Sequence, residues 1–234
     1  MRRPSVLGTT IGVVTAIALS GAALAFTGPS NGSFEGGTYV DGGAGFQALN
    51  AGDTSLTGWT ITTGSIDWIG SYWPAADGSK SIDMSGNDAG AISQTFATTI
   101  GNTYTVTFAL SGNPAGGPTV KTLTVGATGA ASANLTFDTV AAGSTLTDMK
   151  WSTRTYTFLA TTASTTLTFT STTAGVYGPA LDKVVVTEKV PTKADCKKGG
   201  WKTKIDGKGN KFTNQGDCVS YYATGGRNLG SVKP

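Results

Sequence analysis

The chain has 234 residues, with no histidine, two cysteines and charged side chains at only 13% of positions. Without His, the commonest general base and any Ser-His-Asp triad are excluded. A charge content this low is unusual for a cytoplasmic protein. After residue 25 no apolar run reaches the roughly 18 residues that a membrane-spanning helix needs. The sequence therefore offers little support for an enzyme and predicts no transmembrane segment in the mature chain.

Residues 1–25 have the features of a signal peptide. Arg2 and Arg3 supply a positive start, Val6 to Ala18 is a largely apolar run without charge, and Ala23-Leu24-Ala25 provides the small residues that signal peptidase recognises. We predict that the mature chain begins at Phe26 and is secreted, as an extracellular protein or one associated with the cell wall. An N-terminal membrane anchor is the alternative.

Charge divides the rest of the chain into two predicted segments. Residues 26–189 hold six Lys and Arg against eleven Asp and Glu, whereas residues 190–234 hold nine against three. The second segment also contains both cysteines. In an exported protein, an isolated pair most simply forms one disulfide, here Cys196–Cys218, with two free thiols as the alternative. We expect Trp201 and Phe212 to pack against this bridge.

Residues 26–189 show the alternation of half-buried strands. Tyr104, Val106, Phe108 and Leu110 alternate with threonines, and residues 152–159 repeat the pattern. Turn signals rich in Gly, Asn and Pro separate these runs, and no segment shows long helical periodicity. Further strands are predicted near 58–63, 65–70, 80–85, 91–98, 121–127, 133–139, 167–169 and 181–187. The fold class is all-β, a sandwich or barrel.

Six motifs in order resemble the choice-of-anchor C family, exported bacterial β-domains related to plant cell-wall proteins of unassigned function. They begin at Asn31-Gly32-Ser33-Phe34-Glu35 and Gly58-Trp59, and end at Gly178-Pro179-Ala180-Leu181-Asp182. The resemblance spans residues 29–187 and implies a galactose-binding-like jelly-roll β-sandwich. The chain lacks the sorting signal and the terminal hydrophobic helix that anchor other members.

The same resemblance implies a structural Ca²⁺ site. In related jelly-roll modules an Asn and a Glu near the first strand and an Asp in the last strand help to hold calcium, which matches Asn31, Glu35 and Asp182. Calcium takes six to eight oxygen ligands, so backbone carbonyls would complete the shell. The alternative is that Glu35 and Asp182 only form hydrogen bonds with loop backbone.

Aromatic side chains are the usual contacts for sugar rings. Tyr72 and Trp73 lie in a loop where exposed rings are costly unless covered, and Asp77, Asn87 and Asp88 follow nearby as candidates for hydroxyl contacts. Tyr177 is a further candidate, whereas the tryptophans in strand-like motifs, Trp59 and Trp68, are expected in the core.

The sequence favours a secreted, noncatalytic module that binds cell-wall or extracellular polysaccharide. The alternative is a structural surface or matrix protein held by its basic tail to an anionic wall polymer, not to nucleic acid. A hydrolase is the third hypothesis, because two carboxylates suffice for glycosidases. Asp67, Asp77, Asp83 and Asp88 are nevertheless interpreted as solvated turn residues.

Overall fold

The computed structural model describes residues 26–227, so the predicted signal peptide lies outside the described residues. Eleven strands dominate the described part of the chain, and every strand pair is antiparallel. None of the helices within this part is long and apolar enough to cross a membrane. The strands are β1 (Phe46–Asn50), β2 (Thr60–Thr63), β3 (Ser65–Ile69), β4 (Ser81–Asp83), β5 (Ala91–Ala97), β6 (Thr103–Gly112), β7 (Val120–Ala127), β8 (Ala133–Asp138), β9 (Ser152–Leu159), β10 (Ser164–Ser171) and β11 (Pro179–Lys189).

The strands form two sheets, which confirms the predicted β-sandwich class. One sheet has six strands in the order β1-β3-β4-β11-β6-β9, and the other has five in the order β2-β5-β10-β7-β8. The helices are short: α1 (Thr139–Ala142), α2 (Gln215–Ala223) and a 3₁₀ helix at Gly200–Thr203. Most predicted strands are present. The sequence analysis missed β1, and residues 31–35 do not form a strand.

Alternating side chains from both sheets fill the core. Tyr104, Val106, Phe108 and Leu110 of β6 are buried, and Phe169 of β10 meets Phe108 edge to face at 5.1 Å between ring centroids. Trp59 and Trp68 are buried in the same core, as predicted. Burial of each large ring contributes about 2 kcal/mol, so this layer fixes which face of every strand points outward.

A bulge interrupts β11 where the N-terminal segment crosses it. The register with β6 shifts between Asp182 and Val185, and Val184 there donates its N–H to the Gly32 carbonyl at 2.7 Å. A Cβ at position 32 would lie 1.9 Å from the Val184 oxygen, so only glycine permits this approach. Bulges of this kind redirect side chains, and this one turns Asp182 towards the loop at residues 76–80.

The C-terminal segment forms a small cluster of its own. Cys196 and Cys218 form the predicted disulfide, and Phe212 is buried beside it. Trp201, Val219, Tyr221 and Tyr222 pack around the bridge. Lys204 is half-buried at the end of the 3₁₀ helix. The exposed lysines of the described tail are Lys193, Lys197, Lys198, Lys202, Lys208 and Lys211.

A buried carboxylate links the loops above the six-stranded sheet. Asp83, at the end of β4, is fully buried and accepts hydrogen bonds from Asn113 Nδ2 at 2.8 Å and from the N–H groups of Ser85 and Gly178 at 3.0 Å each. Burial raises its pKa to about 7 in spite of these donors. Asp83 and Asp67 were interpreted as solvated turn residues, and both lie in strands.

Asp83 makes stability depend on pH, and Asp83→Asn tests this. Between its ordinary pKa of 3.8 and its folded value of about 7, the folded state retains a proton that the unfolded state releases. The free energy of unfolding therefore falls as pH rises through this range. We expect a smaller fall in Asp83→Asn, measured by urea denaturation at pH 4.5 and 7.5. An unchanged slope would contradict the assignment.

Candidate functional site

A pocket of about 310 Å³ opens on the outer face of the six-stranded sheet, at its β1–β3–β4 edge. Alternation along β3 sends Ile66 and Trp68 into the core and turns Asp67 and Ile69 outward. The loops after β3 and before β11 add side walls. The pocket is lined by Phe46, Ala48, Asp67, Ile69, Tyr72, Gly86, Asn87, Asn113, Val176 and Tyr177.

Three half-buried rings lie around the pocket. Phe46 comes from β1, and its ring meets that of Tyr72 edge to face at 5.4 Å between centroids. Tyr177 stands on the opposite loop, whose position is fixed by Lys121. The buried Lys121 Nζ donates to the carbonyls of Gly116 and Tyr177 at 2.7 Å each. Lys121 thus holds the Tyr177 loop in place from inside the sandwich.

Besides the Tyr72 and Tyr177 hydroxyls, two polar groups in the described pocket lining have no protein partner. Within residues 26–227, neither the Asp67 carboxylate nor the Asn87 side-chain amide forms a hydrogen bond or ion pair. Burial raises the pKa of Asp67 to about 6. Asn113 differs, because its amide already donates to Asp83 and accepts from the Ala115 N–H at 2.9 Å. Asp67 and Asn87, together with the tyrosine hydroxyls, are therefore the polar groups available to a ligand.

A second, more open depression adjoins the pocket and shares Tyr72 with it. Its other lining residues include Trp73, Pro74 and Leu146. Trp73 is only 2% exposed, packs against Ile69 and donates its indole N–H to Ser81 Oγ at 2.9 Å. The Trp73 ring therefore lies buried beneath the depression and offers no free face on which a sugar could stack.

The structure brings together only some of the sequence candidates. Tyr72 and Asn87 line the pocket, together with Tyr177. Asp77 does not line it: its N–H donates to Asp182 at 2.9 Å and its carboxylate lies 3.9 Å from Lys183 Nζ. Asp88 is also absent from the lining and accepts from the Ser65 hydroxyl at 2.9 Å.

Sequence reasoning missed Phe46 and the role of Asp67. The five residues of β1 follow a glycine-rich stretch and were not recognised as a strand. For Asp67 a signal was present, because an acid between Ile66 and Trp68 takes the outward position of an alternating strand. The sequence does not show that the loops carrying Tyr72 and Tyr177 approach Asp67 and bury it in part.

Two of the three predicted calcium ligands, Glu35 and Asp182, form a hydrogen-bonded clamp. Glu35 accepts from the N–H groups of Ser79 and Lys80 and from the Ser79 hydroxyl, at 2.6–2.7 Å. Asp182 accepts from the N–H groups of Ala76, Asp77 and Lys183 at 2.6–2.9 Å. All four carboxylate oxygens are thus occupied, and both side chains hold the loop at residues 76–80.

Asn31 is also fully used, away from this loop. Its Oδ1 accepts from the Gly36 N–H at 2.8 Å, and its Nδ2 donates to the Gly36 and Thr57 carbonyls. Among residues 26–227, no group of three or more acidic or cysteine side chains is placed to hold a metal ion. As placed, Asn31, Glu35 and Asp182 do not fit a calcium cage.

The electrostatics of the two clamp carboxylates differ. Burial raises the pKa of Asp182 to about 7, against the lowering effect of its three N–H donors. For Glu35, burial alone would raise the pKa, but the hydrogen bonds from Ser79 and Lys80 together outweigh burial. The net pKa of Glu35 therefore lies below its ordinary value. The clamp is therefore more sensitive to pH at Asp182.

Calcium binding stays a prediction that a melting experiment can decide. A cation on Glu35 and Asp182 would have to replace N–H donors of the 76–80 loop, so we expect equal melting temperatures in calcium chloride and in chelator. A melting temperature raised by calcium, with the rise lost in Asp182→Asn, would show that the carboxylates bind the cation instead of the loop.

One curated protein is similar to most of this chain. Over 162 residues it is 33% identical to halomucin of Haloquadratum walsbyi (strain DSM 16790 / HBSQ001), which covers 68% of this chain. The chain spans only 2% of the length of halomucin. Nothing about halomucin as a whole therefore transfers directly to this chain.

Similar solved structures include carbohydrate-binding modules. The CBM22-1 xylan-binding domain of Paenibacillus barcinonensis Xyn10C aligns with a TM-score of 0.42 at 14% identity, covering 62% of this chain and 95% of that domain. CBM35 from the same organism gives 0.39 at 21%, covering 60% and 98%. At TM-scores this low the likeness carries no information about a ligand, and only the pocket geometry bears on function. The family model described as "Protein of unknown function (DUF642)" matches residues 29–187, and the chain therefore belongs to that family.

Proposed function

We propose that this chain is an exported, noncatalytic module that binds an extracellular or cell-wall polysaccharide in the pocket and its adjoining depression. The observation that carries the proposal is the pairing of half-buried rings with unpartnered polar groups. Phe46, Tyr72 and Tyr177 stand beside the free carboxylate of Asp67 and the free amide of Asn87. A pyranose presents an apolar C–H face to rings and hydroxyls to such groups, so both sets of contacts would be satisfied together.

The adjoining depression supports a polymer as the ligand. It shares Tyr72 with the pocket, and it is open to solvent along Ser71 and Pro74, which are exposed. A chain of sugar units could extend from the pocket over Tyr72 without meeting a wall. The finer assignment to the choice-of-anchor C group, and export itself, are part of this proposal.

The arrangement of carboxylates supports a role without catalysis. Asp67 and Asp83 are register partners in β3 and β4 and point to the same face. Glycoside hydrolysis requires both members of a carboxylate pair to reach the scissile bond. Asp83 is 0% exposed and is occupied by three donors, so Asp67 alone of these two faces the pocket.

Removal of a pocket ring tests the proposal. We expect Tyr72→Ala and Tyr177→Ala each to weaken binding to a soluble cell-wall polysaccharide at least tenfold, because truncating a central aromatic contact costs on the order of 2 kcal/mol. Isothermal titration against a polysaccharide panel measures this, with melting curves to verify folding. Trp201→Ala, a half-buried ring in the tail, is the control and should bind normally. Unchanged binding by both tyrosine variants would exclude this pocket as the site.

A second candidate function rests on the tail. Six lysines among tail residues 190–227 are exposed, Lys193 and five that follow the first cysteine, and none of the six forms an ion pair within residues 26–227. The disulfide gathers these charges on one small, folded segment. Such a surface fits the alternative of a structural protein held to an anionic wall polymer.

Neutralising the tail lysines separates the two functions. We expect the five-fold variant with Gln at Lys197, Lys198, Lys202, Lys208 and Lys211 to elute from an anionic polymer resin at lower salt than the wild type. The variant has fewer positive charges to attract the resin, and salt screens the remaining attraction over about 8–10 Å at physiological ionic strength. Lys150→Gln, on the sandwich, is the control. Identical elution of the variant and the wild type would remove the tail as an anchor.

A further inference from the structure

The pocket carries negative charge without a balancing cation. Asp67 is half-buried, forms no ion pair within residues 26–227, and lies across the strand register from Asp83. Among the described lining residues there is no Lys or Arg. Lys121 attracts Asp83 electrostatically, but its Nζ donates its hydrogen bonds to the carbonyls of Gly116 and Tyr177. A carboxylate in this setting lacks the partner that a buried charge normally has.

The rings add to the same electrostatic preference. The faces of Phe46 and Tyr72 carry the negative end of the aromatic quadrupole, which attracts a cation within about 6 Å of a ring centroid. One face of Tyr177 already has Lys121 Nζ over it, 6.0 Å from the ring centroid. An ammonium group held there would also donate charge-assisted hydrogen bonds to Asp67, and these are stronger than bonds between neutral groups.

Other classes of sugar fit the pocket less well. A uronic acid would bring a second carboxylate against Asp67, and the repulsion of two like charges in a half-buried site would offset hydrogen bonds from the Asn87 amide and the tyrosine hydroxyls. A neutral sugar could donate hydroxyls to Asp67, but the charge of the carboxylate would remain uncompensated in a partly dry site.

We propose that this pocket selects amino sugars, that is, glycan units with a free protonated amine, over neutral, N-acetylated and acidic units. The inference rests on the proposed function, because it specifies the ligand of the same pocket. Asp67 is the residue that confers the preference, and the rings provide stacking that all the sugars share.

The pH dependence gives an independent readout. The groups facing Asp67 are Asp83 from β4 and the Tyr72 and Tyr177 hydroxyls from the loops, while β1 contributes Ala48, which does not titrate. Because burial raises the pKa of Asp67 to about 6, a protonated fraction is present at mildly acid pH. A cationic ligand binds the ionised form, so its affinity should rise from pH 4.5 to pH 6, a range in which the amine of a glucosamine unit stays largely protonated.

The experiment compares four oligosaccharides on the folded protein: glucosamine, N-acetylglucosamine, glucose and galacturonic acid oligomers of equal length. Isothermal titration at pH 6 should show the glucosamine oligomer binding at least tenfold more tightly than the other three. Asp67→Asn, which keeps the shape of the side chain, should abolish this difference and the rise with pH but retain the weaker binding of neutral oligomers. Asp53→Asn, an acid on the β1–β2 connection, removes the same charge elsewhere and should change nothing.

The outcomes distinguish this inference from the function on which it rests. Equal affinity for glucosamine and glucose oligomers, with binding still lost in Tyr72→Ala, would overturn the amino-sugar preference and leave the glycan site standing. No binding of any oligomer or polysaccharide would overturn both. A glucosamine preference that persists in Asp67→Asn, or disappears equally in Asp53→Asn, would show general charge attraction and refute the role of Asp67.

Discussion

The candidate site depends on one buried carboxylate. Asp83 ends the shortest strand of the six-stranded sheet, and its three hydrogen bonds reach the turn after β4, the loop after β6 and the loop before β11. Each of these segments supplies lining to the pocket, through Asn87, Asn113 and Tyr177 respectively. At Gly178 a Cβ would lie 2.5 Å from the Asp83 carboxylate, so the donor closest to Tyr177 has to be glycine. A charge that is costly to bury is retained here because it organises three loops at once.

Hydrophobic patterning explains how much of the fold could be predicted. In β6, large apolar residues alternate with threonine or a small residue from Thr103 to Leu110, and a repeat of two residues over this length predicts a strand and not a helix. The disulfide was predictable because the chain has only two cysteines. By contrast, β1 has only five residues, and its apolar and polar residues alternate weakly. It forms a strand because it pairs with β3.

The site was harder to predict, because its geometry comes from long-range contacts. Tyr72 and Trp73 are adjacent in an aromatic loop, yet one ring lines the pocket and the other is buried against Ile69 and Met149. Only the approach of the segment around Met149 distinguishes them. Glu35 and Asp182 were recognised as a pair at opposite ends of the domain, but which partner they bind is determined by the loop at residues 76–80.

The connection between sandwich and tail has a mechanical consequence. β11 leads directly into the Cys-bridged segment, and Lys189 at its end is joined to Asp195 by an ion pair at 2.6 Å. Tension applied at the tail would therefore enter the sandwich along β11, which is paired with β6 from Pro179 to Lys189 on one side and with β4 on the other. Force along a strand loads its ladder of hydrogen bonds in parallel, so the bonds share the load and do not open one after another. If the tail is held and the pocket binds a polymer, the tension between them therefore acts along β11, the direction in which its strand pairing resists force best.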